Sequence, residues 1–241
     1  LKCVSILLKN YSMNKIFKKI LKVLRNFILG DYRSKRLGNL IADKILKFSS
    51  SKQKIKVLDY GSGFQPRVIF YILKKLKKNF TGKINIDCYD FYKKDEILKL
   101  NNSFTSEINF YNLNSLPNET KYDYCLINDV LHHMNIENES LIEDTLKKLL
   151  GVAKIVIIKD HFQYGVMSNM IIRFMDFLGN YFNDVKIPKK YYDQKTFDDL
   201  INKINAIVIE ANISIKLYPP FLIFMSNPDY HFVYLIKNSK I

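Results

Sequence analysis

Lys56-Val57-Leu58-Asp59-Tyr60-Gly61-Ser62-Gly63-Phe64-Gln65-Pro66 is the stretch from which the rest of the chain is read. Ile55, Val57 and Leu58 make an apolar β-type run that ends in an acidic residue, and two glycines follow at alternate positions. Pro66 then opens an apolar-periodic segment, Val68 to Leu76. Proline suits a first helical position, because its missing N–H has no partner there. The pattern predicts strand, tight glycine turn, helix. Such a turn lets backbone approach a ligand closely and aims free helix N–H groups at it. The whole chain of 241 residues has only eight glycines, so a pair in one turn is informative.

Downstream, Thr81-Gly82 reads as a turn, and Ile84 to Tyr89 as a second strand ending at Asp90. A carboxylate at that point of a βαβ unit can hydrogen-bond two ribose hydroxyls at once. Asp87 competes for the role but falls inside the strand, where an unpaired carboxylate is costly. Ile108 to Tyr111 makes a third strand, followed by Asn112-Leu113-Asn114-Ser115-Leu116-Pro117. The fourth strand, Tyr122 to Ile127, ends in Asn128-Asp129-Val130-Leu131-His132-His133. A helix from Ser140 to Leu150 leads to a fifth strand capped by Lys159-Asp160-His161. Strands and helices alternating in this way specify an α/β fold with a doubly wound, largely parallel sheet. Its ligands sit beyond the carboxyl ends of the strands, where Asp59, Asp90, Asn112, Asn128 and Lys159-Asp160-His161 all fall.

The segment from Phe162 to Lys190 is too long for an ordinary connection and rich in Met and aromatic residues. A lid of about residues 162–192 over an apolar or bulky acceptor fits it, as does a helix packed in the core. Asp193 to Asn202 reads as the last long helix, Ile213 to Leu217 as a sixth strand and His231 to Ile236 as a seventh, joined through Pro219-Pro220.

Asp59-x-Gly61-x-Gly63 resembles the first motif of class I S-adenosylmethionine-dependent methyltransferases. Gln65 stands where a third glycine often sits, a departure that weighs more against NAD than against S-adenosylmethionine, which has no pyrophosphate to cradle. The resemblance extends over most of residues 33–237. Asp129-Val130-Leu131-His132-His133, Lys159-Asp160-His161, Met175 to Asn180, Pro188 and Tyr191-Tyr192 are similar to a bacterial subgroup acting on small molecules, lipids or surface-glycan precursors. Only Gly151 remains of the Pro-Gly-Gly turn usual before the fifth strand.

The resemblance implies a Rossmann-like sheet of seven strands with the last antiparallel. It implies S-adenosylmethionine as methyl donor, held by Asp59, Gly61, Gly63, Asp90, Phe91, Asn112, Leu113 and Asn128. Within that set Asp90 is the ribose-binding acid, and Asn112 stands where the family has an adenine-binding acid. Removal of a proton from an O- or N-acceptor would fall to a histidine, which titrates near neutrality. His161 leads, with Asp160 or Lys159 orienting the acceptor; His133 and His132 are the alternatives, one of which packs under the cofactor. Asp160 and Asp176 show no metal-ligand spacing, and no metal is expected.

Two rival classes remain on the sequence: an RNA methyltransferase and a non-catalytic partner subunit that keeps the cofactor fold. The first draws on the net charge of +15, which is unevenly spread. Residues 1–50 carry +10 and residues 51–100 +7, against −5 over 101–150 and +3 thereafter. No recognisable RNA-binding module accompanies that excess, and Asp59, Gly61, Gly63 and Asp90 together weigh against the second.

Residues 1–50 read as basic amphipathic helices ahead of one domain, 51–241. Between residues 13 and 29, apolar residues recur at three and four while lysines take the other side. Such a helix suits peripheral contact at the inner membrane surface, or packing on its own domain. A second helix, Ser34 to Phe48, places Arg33 and Arg36 at its start, either solvated or facing a ligand carboxylate. Cys3, Cys88 and Cys125 have no metal spacing and fit buried thiols of a reducing cytoplasm. No apolar run approaches the roughly 20 residues that cross a bilayer.

Overall fold

The computed structural model describes residues 31–49, 52–63, 66–91, 106–119, 121–134, 139–180, 186–222 and 227–239. The amphipathic segment 13–29 therefore lies outside the described residues, as do Cys3 and 181–185 of the lid segment.

Helix α1 (Asp31–Lys47) is followed by strand β1 (Lys54–Tyr60) and helix α2 (Arg67–Asn79). Strands β2 (Lys83–Asp90), β3 (Ile108–Asn112) and β4 (Tyr122–Asn128) come next, then helix α3 (Glu139–Val152) and strand β5 (Ala153–His161). Helices α4 (Val166–Asn180) and α5 (Gln194–Lys203) precede β6 (Ala206–Ile213) and β7 (His231–Asn238). The strands form one sheet in the order β3-β2-β1-β4-β5-β7-β6. The β1–β2, β1–β4, β2–β3 and β4–β5 pairs are parallel, and β7 runs antiparallel to both β5 and β6. The doubly wound sheet expected from the alternating pattern is present, with β7 reversed.

Alternation along the strands divides the core in two. Ile55 and Val57 of β1, Ile84 and Ile86 of β2, and Val233 and Leu235 of β7 pack with Leu37, Ile41 and Ile45 of α1 and Ile69, Ile72 and Leu76 of α2. Leu58, Ile127, Val156, Ile158, Phe232 and Tyr234 turn the other way, onto Leu146 and Leu149 of α3 and Phe197 and Leu200 of α5. Successive side chains of a strand point to opposite faces, so a strand covered on both sides is apolar at nearly every position. Cys88 and Cys125 are free thiols within this core.

Four expectations need correction. The sixth strand is Ala206–Ile213 and not 213–217; it is an edge strand, half-exposed along its length. Pro66 is the N-cap of α2, with Arg67 as the first helical residue. Lys159, Asp160 and His161 do not cap β5 but belong to it, since β7 continues the pairing against them through Val233, Phe232 and His231. Asp87 is no orphan inside β2: the Tyr122 hydroxyl donates to it at 2.9 Å and the Asn109 amide at 2.8 Å. Among the described residues, no helix is long and apolar enough to cross a membrane.

Candidate active site

The strand order reverses beside β1, and a crevice opens there between the carboxyl ends of β1 and β4. On the β1 side the chain turns through Gly61 and Gly63, at φ +73° and +70°, the left-handed region where side chains are strained. The Gly61 N–H donates to the Tyr89 carbonyl at 2.8 Å, and the Gly63 N–H to Asp90 Oδ2 at 2.7 Å. Asp90 therefore stands at the end of β2, fixed by the turn it faces. Beside it Phe91 is 73% exposed. Phe91, Tyr60, Leu113, Asn114 and Leu116 line a cavity of about 300 Å³ together with residues of α3.

Of the residues expected to hold a donor, Asp59, Gly61, Gly63, Asp90, Phe91 and Leu113 gather on this side of the crevice. Asn112 caps a short 3₁₀ turn, its side-chain oxygen accepting from the Asn114 N–H at 3.0 Å. Asn114, which sequence reasoning passed over, lines the cavity. Two buried side-chain oxygens beside the turn, Ser62 Oγ and Asn128 Oδ1, have no protein partner. Unpaired buried polar atoms are uncommon; here one belongs to the glycine turn and the other to the last residue of β4.

Asp59 is 5% exposed. Burial, reinforced by the Asp90 carboxylate, pushes its carboxyl up to about 7. An unfolded-chain aspartate titrates near 3.9, so the native state holds this proton more tightly. Stability from this group is therefore fully present below about pH 4 and is lost as the pH rises through about 7. The loss should reach about 4 kcal/mol by pH 8. Melting curves of wild type and Asp59→Asn between pH 4 and 8 measure it: the neutral isostere should flatten the decline. Parallel pH profiles would show that Asp59 is an ordinary solvated acid.

The β4–β5 side carries a buried polar cluster. Asp129 follows β4 at φ +54°, an uncommon conformation for a residue with a side chain. Its carboxylate is gripped by Arg33 of α1 through one oxygen and by Lys159 of β5 through the other. Burial alone would raise the Asp129 carboxyl, but the two cations hold it well below the usual range. Lys159 is 1% exposed and lies 3.3 Å from His161 Nε2. Burial lowers Lys159 to about 8 despite Asp129. Burial and then Lys159 lower His161 to about 4, so this imidazole is neutral across the physiological range. His231, opposite His161 in the β5–β7 register, is 4% exposed and has no partner on either ring nitrogen.

A second half of the cluster centres on the two histidines after β4. Asp160 Oδ1 lies 2.6 Å from His132 Nδ1, and the pair is buried. Burial would lower His132, but Asp160 and Asp176 outweigh it and raise the imidazole. His133, more open, turns Nδ1 to the Lys186 carbonyl at 3.2 Å. Burial and the neighbouring His132 lower its basicity. Asp176 of α4 faces both rings, with Oδ1 3.6 Å from each Nε2. Its carboxylate also accepts from the Tyr191 hydroxyl at 2.9 Å and the Asn180 amide at 2.7 Å. The expected lid therefore contributes a helix tied into the cluster, while Val166, Met167, Met170 and Phe174 on that helix are exposed.

Lys159 and Asp160, expected to orient an acceptor, face inward within the cluster. Both are buried, and each is bonded to another side chain of the cluster. Sequence reasoning gave no role to Asp129 or His231, and left Arg33 between solvent and a ligand when it binds Asp129. Asp129 lies inside the quoted Asn128 to His133 motif, but nothing in its type announces two buried cationic partners.

No protein-family model and no curated protein matches the sequence. Solved structures do match. Magnesium protoporphyrin IX methyltransferase from Synechocystis PCC 6803, with bound SAH, superposes at a TM-score of 0.52 and 13% identity, covering 86% of each chain. The fold is that of the class I methyltransferases. Burkholderia thailandensis 1,6-didemethyltoxoflavin-N1-methyltransferase, with bound 1,6-didemethyltoxoflavin and S-adenosylhomocysteine, gives a TM-score of 0.53 at 13% identity over 86% of this chain and 79% of that one. A pericyclic reaction enzyme reaches 0.56 at 11% identity, over 82% of this chain and 47% of that one. One fold thus hosts different reactions, and function must be argued from the site.

Proposed function

We propose that the chain transfers a methyl group from S-adenosylmethionine to an oxygen or nitrogen of a small-molecule, lipid-like or glycan-precursor acceptor. The observation that carries this reading is the glycine turn at the switch point, with Asp90 fixed beside it and the cavity next to both. Gly61 and Gly63 would admit the donor's amino-acid portion close to backbone, Asp90 would take its ribose hydroxyls, and Phe91 and Leu113 would flank its base. Orphaned Asn128 Oδ1 and Ser62 Oγ are further polar contacts suited to it. When bound, the donor supplies an electrophilic methyl group on a positively charged sulfur.

His161 is assigned as the proton acceptor and Lys159, at 3.3 Å, as the residue that positions it. Its neutrality is the state from which a proton acceptor must start, though a lowered basicity limits its contribution. Asp160 holds His132 in place. RNA is the second acceptor class, on the strength of the basic excess in the first hundred residues.

Donor binding is the direct test. S-adenosylhomocysteine at one hundred times its dissociation constant should stabilise the fold by about 2.7 kcal/mol. Asp90→Ala should weaken this binding. Gly61→Ala should weaken it further, because a Cβ there would lie 2.6 Å from Val130 Cγ2 at a φ of +73°. A thermal shift absent from wild type with both S-adenosylmethionine and S-adenosylhomocysteine would remove the proposal. Methyl incorporation into structured RNA, with affinity falling steeply as salt rises, would select the second acceptor class.

A further inference from the structure

Two imidazoles and a carboxylate converge where β4 ends and α4 passes over it, and the groups around them fix which atoms face inward. A carbonyl only accepts, so the His133 contact with Lys186 O requires a proton on His133 Nδ1. A neutral His133 then turns the lone pair of Nε2 toward Asp176 Oδ1, 3.6 Å away. Two electron-rich atoms facing each other repel unless a positive centre lies between them. His132 repeats the arrangement. Its Nδ1 is 2.6 Å from Asp160 Oδ1, and its Nε2, buried and without a hydrogen-bond partner, is 3.6 Å from the same Asp176 oxygen. Its side chain is 2% exposed and that of Asp176 9%. All three inward atoms lie within 4.8 Å of one another.

We propose that His132 Nε2, His133 Nε2 and Asp176 Oδ1 form a binding site for a divalent transition-metal cation. Two neutral imidazoles and one carboxylate suit Zn²⁺, Fe²⁺ or Mn²⁺. Ligand atoms on such an ion stand about 3.0–3.6 Å apart, close to the two distances seen. The surrounding contacts are those that tune metal ligands. Asp160 orients His132, a backbone carbonyl orients His133, and Tyr191 and Asn180 hold the carboxylate. Sequence spacing concealed the site because adjacent histidines and a carboxylate 43 positions later match no familiar metal motif. The second triplet, His132 with Asp160 and His161, is set aside because its closest pair is a hydrogen bond at 2.6 Å.

Three protein ligands leave coordination positions for water or an acceptor oxygen. A hydroxyl held there would be acidified before methylation, a consequence that rests on the methyl-transfer reading, although the binding site does not.

The rival is a proton on His132 Nε2 bridging the two carboxylates, and metal titration of the full chain decides between them. The metal-stripped chain titrated with Co²⁺ should develop visible d–d absorption that saturates at one equivalent and is displaced by Zn²⁺. Asp176→Asn and His133→Ala should each weaken Co²⁺ binding at least about 100-fold. Asp160→Asn, which removes no ligand but alters the contact that orients His132, should weaken it about 10–100-fold. Circular dichroism verifies that each variant is folded, and His133, the most exposed ligand, is the substitution least disruptive to packing. No absorption or heat with Co²⁺, Zn²⁺ or Mn²⁺ would overturn the proposal in favour of the proton. Equal affinity in wild type and folded variants would also overturn it, by placing the ion elsewhere. S-adenosylhomocysteine binding measured on the same samples separates the two readings, since the donor side of the crevice does not include these ligands.

Discussion

Asp129→Asn is expected to destabilise the fold by about 3–5 kcal/mol, the usual cost of breaking a buried ion pair from one side. The size follows from what remains. Arg33 and Lys159 both point at this carboxylate, and their side chains are 13% and 0% exposed. Asparagine has nearly the same shape, so packing is kept while two cations lose their counter-charge away from water. Domains have only about 5–15 kcal/mol of stability to lose. Urea denaturation of wild type and variant measures the difference, and Asp129→Asn combined with Lys159→Met should recover part of it by removing one stranded cation. A loss below about 1 kcal/mol would mean that the triad is well solvated, as surface pairs are. The same triad ties α1 to the β4–β5 end of the crevice, so donor affinity and stability should change separately.

The sheet was legible because its evidence is periodic and redundant. Apolar runs such as Ile155 to Ile158 and Tyr124 to Ile127 can hardly be anything but buried strands, and the glycine turn fixes where the winding begins. The glycine turn was nearly as readable, since Gly61 and Gly63 are required by backbone conformation and Asp90 stands at a strand end. The 3₁₀ turn capped by the Asn112 oxygen was not legible, because a short cap of this kind leaves no periodic pattern.

The buried polar cluster was the hardest part. Its groups come from α1, the turn after β4, β5, α4 and β7, and each pairing is set by tertiary contact. Arg33 lies 96 positions from Asp129, and Asp176 lies 43 from His133. Local pattern carries no information at such separations. The edge strand β6 was misplaced even though it opens on the apolar run Ala206 to Ile209, of which Ile207 and Val208 are exposed.

His161→Ala should lower turnover by roughly 10²–10³-fold while leaving S-adenosylhomocysteine affinity nearly unchanged. A positioned general base contributes typically about 10²–10⁴. The lower part of that range applies because burial and Lys159 depress this imidazole to about 4, which weakens it as a proton acceptor. Donor binding should survive, since His161 belongs to β5 and the glycine turn to the far side of β1, with β4 between. The loss should therefore appear in kcat more than in the donor KM. Packing is the competing explanation, because His161 also lies against His132, His231 and Tyr191, with ring centroids 5.4, 4.9 and 6.1 Å apart. His161→Gln keeps most of that volume without a comparable base. If His161→Gln is as impaired as His161→Ala and both remain folded, proton transfer is lost rather than packing. Near wild-type turnover in His161→Gln would make the ring a spacer. Co²⁺ affinity supplies the cross-check: His133→Ala should weaken it at least about 100-fold and His161→Ala should not, so the two histidines separate into proton acceptor and metal ligand by measurements that share no readout.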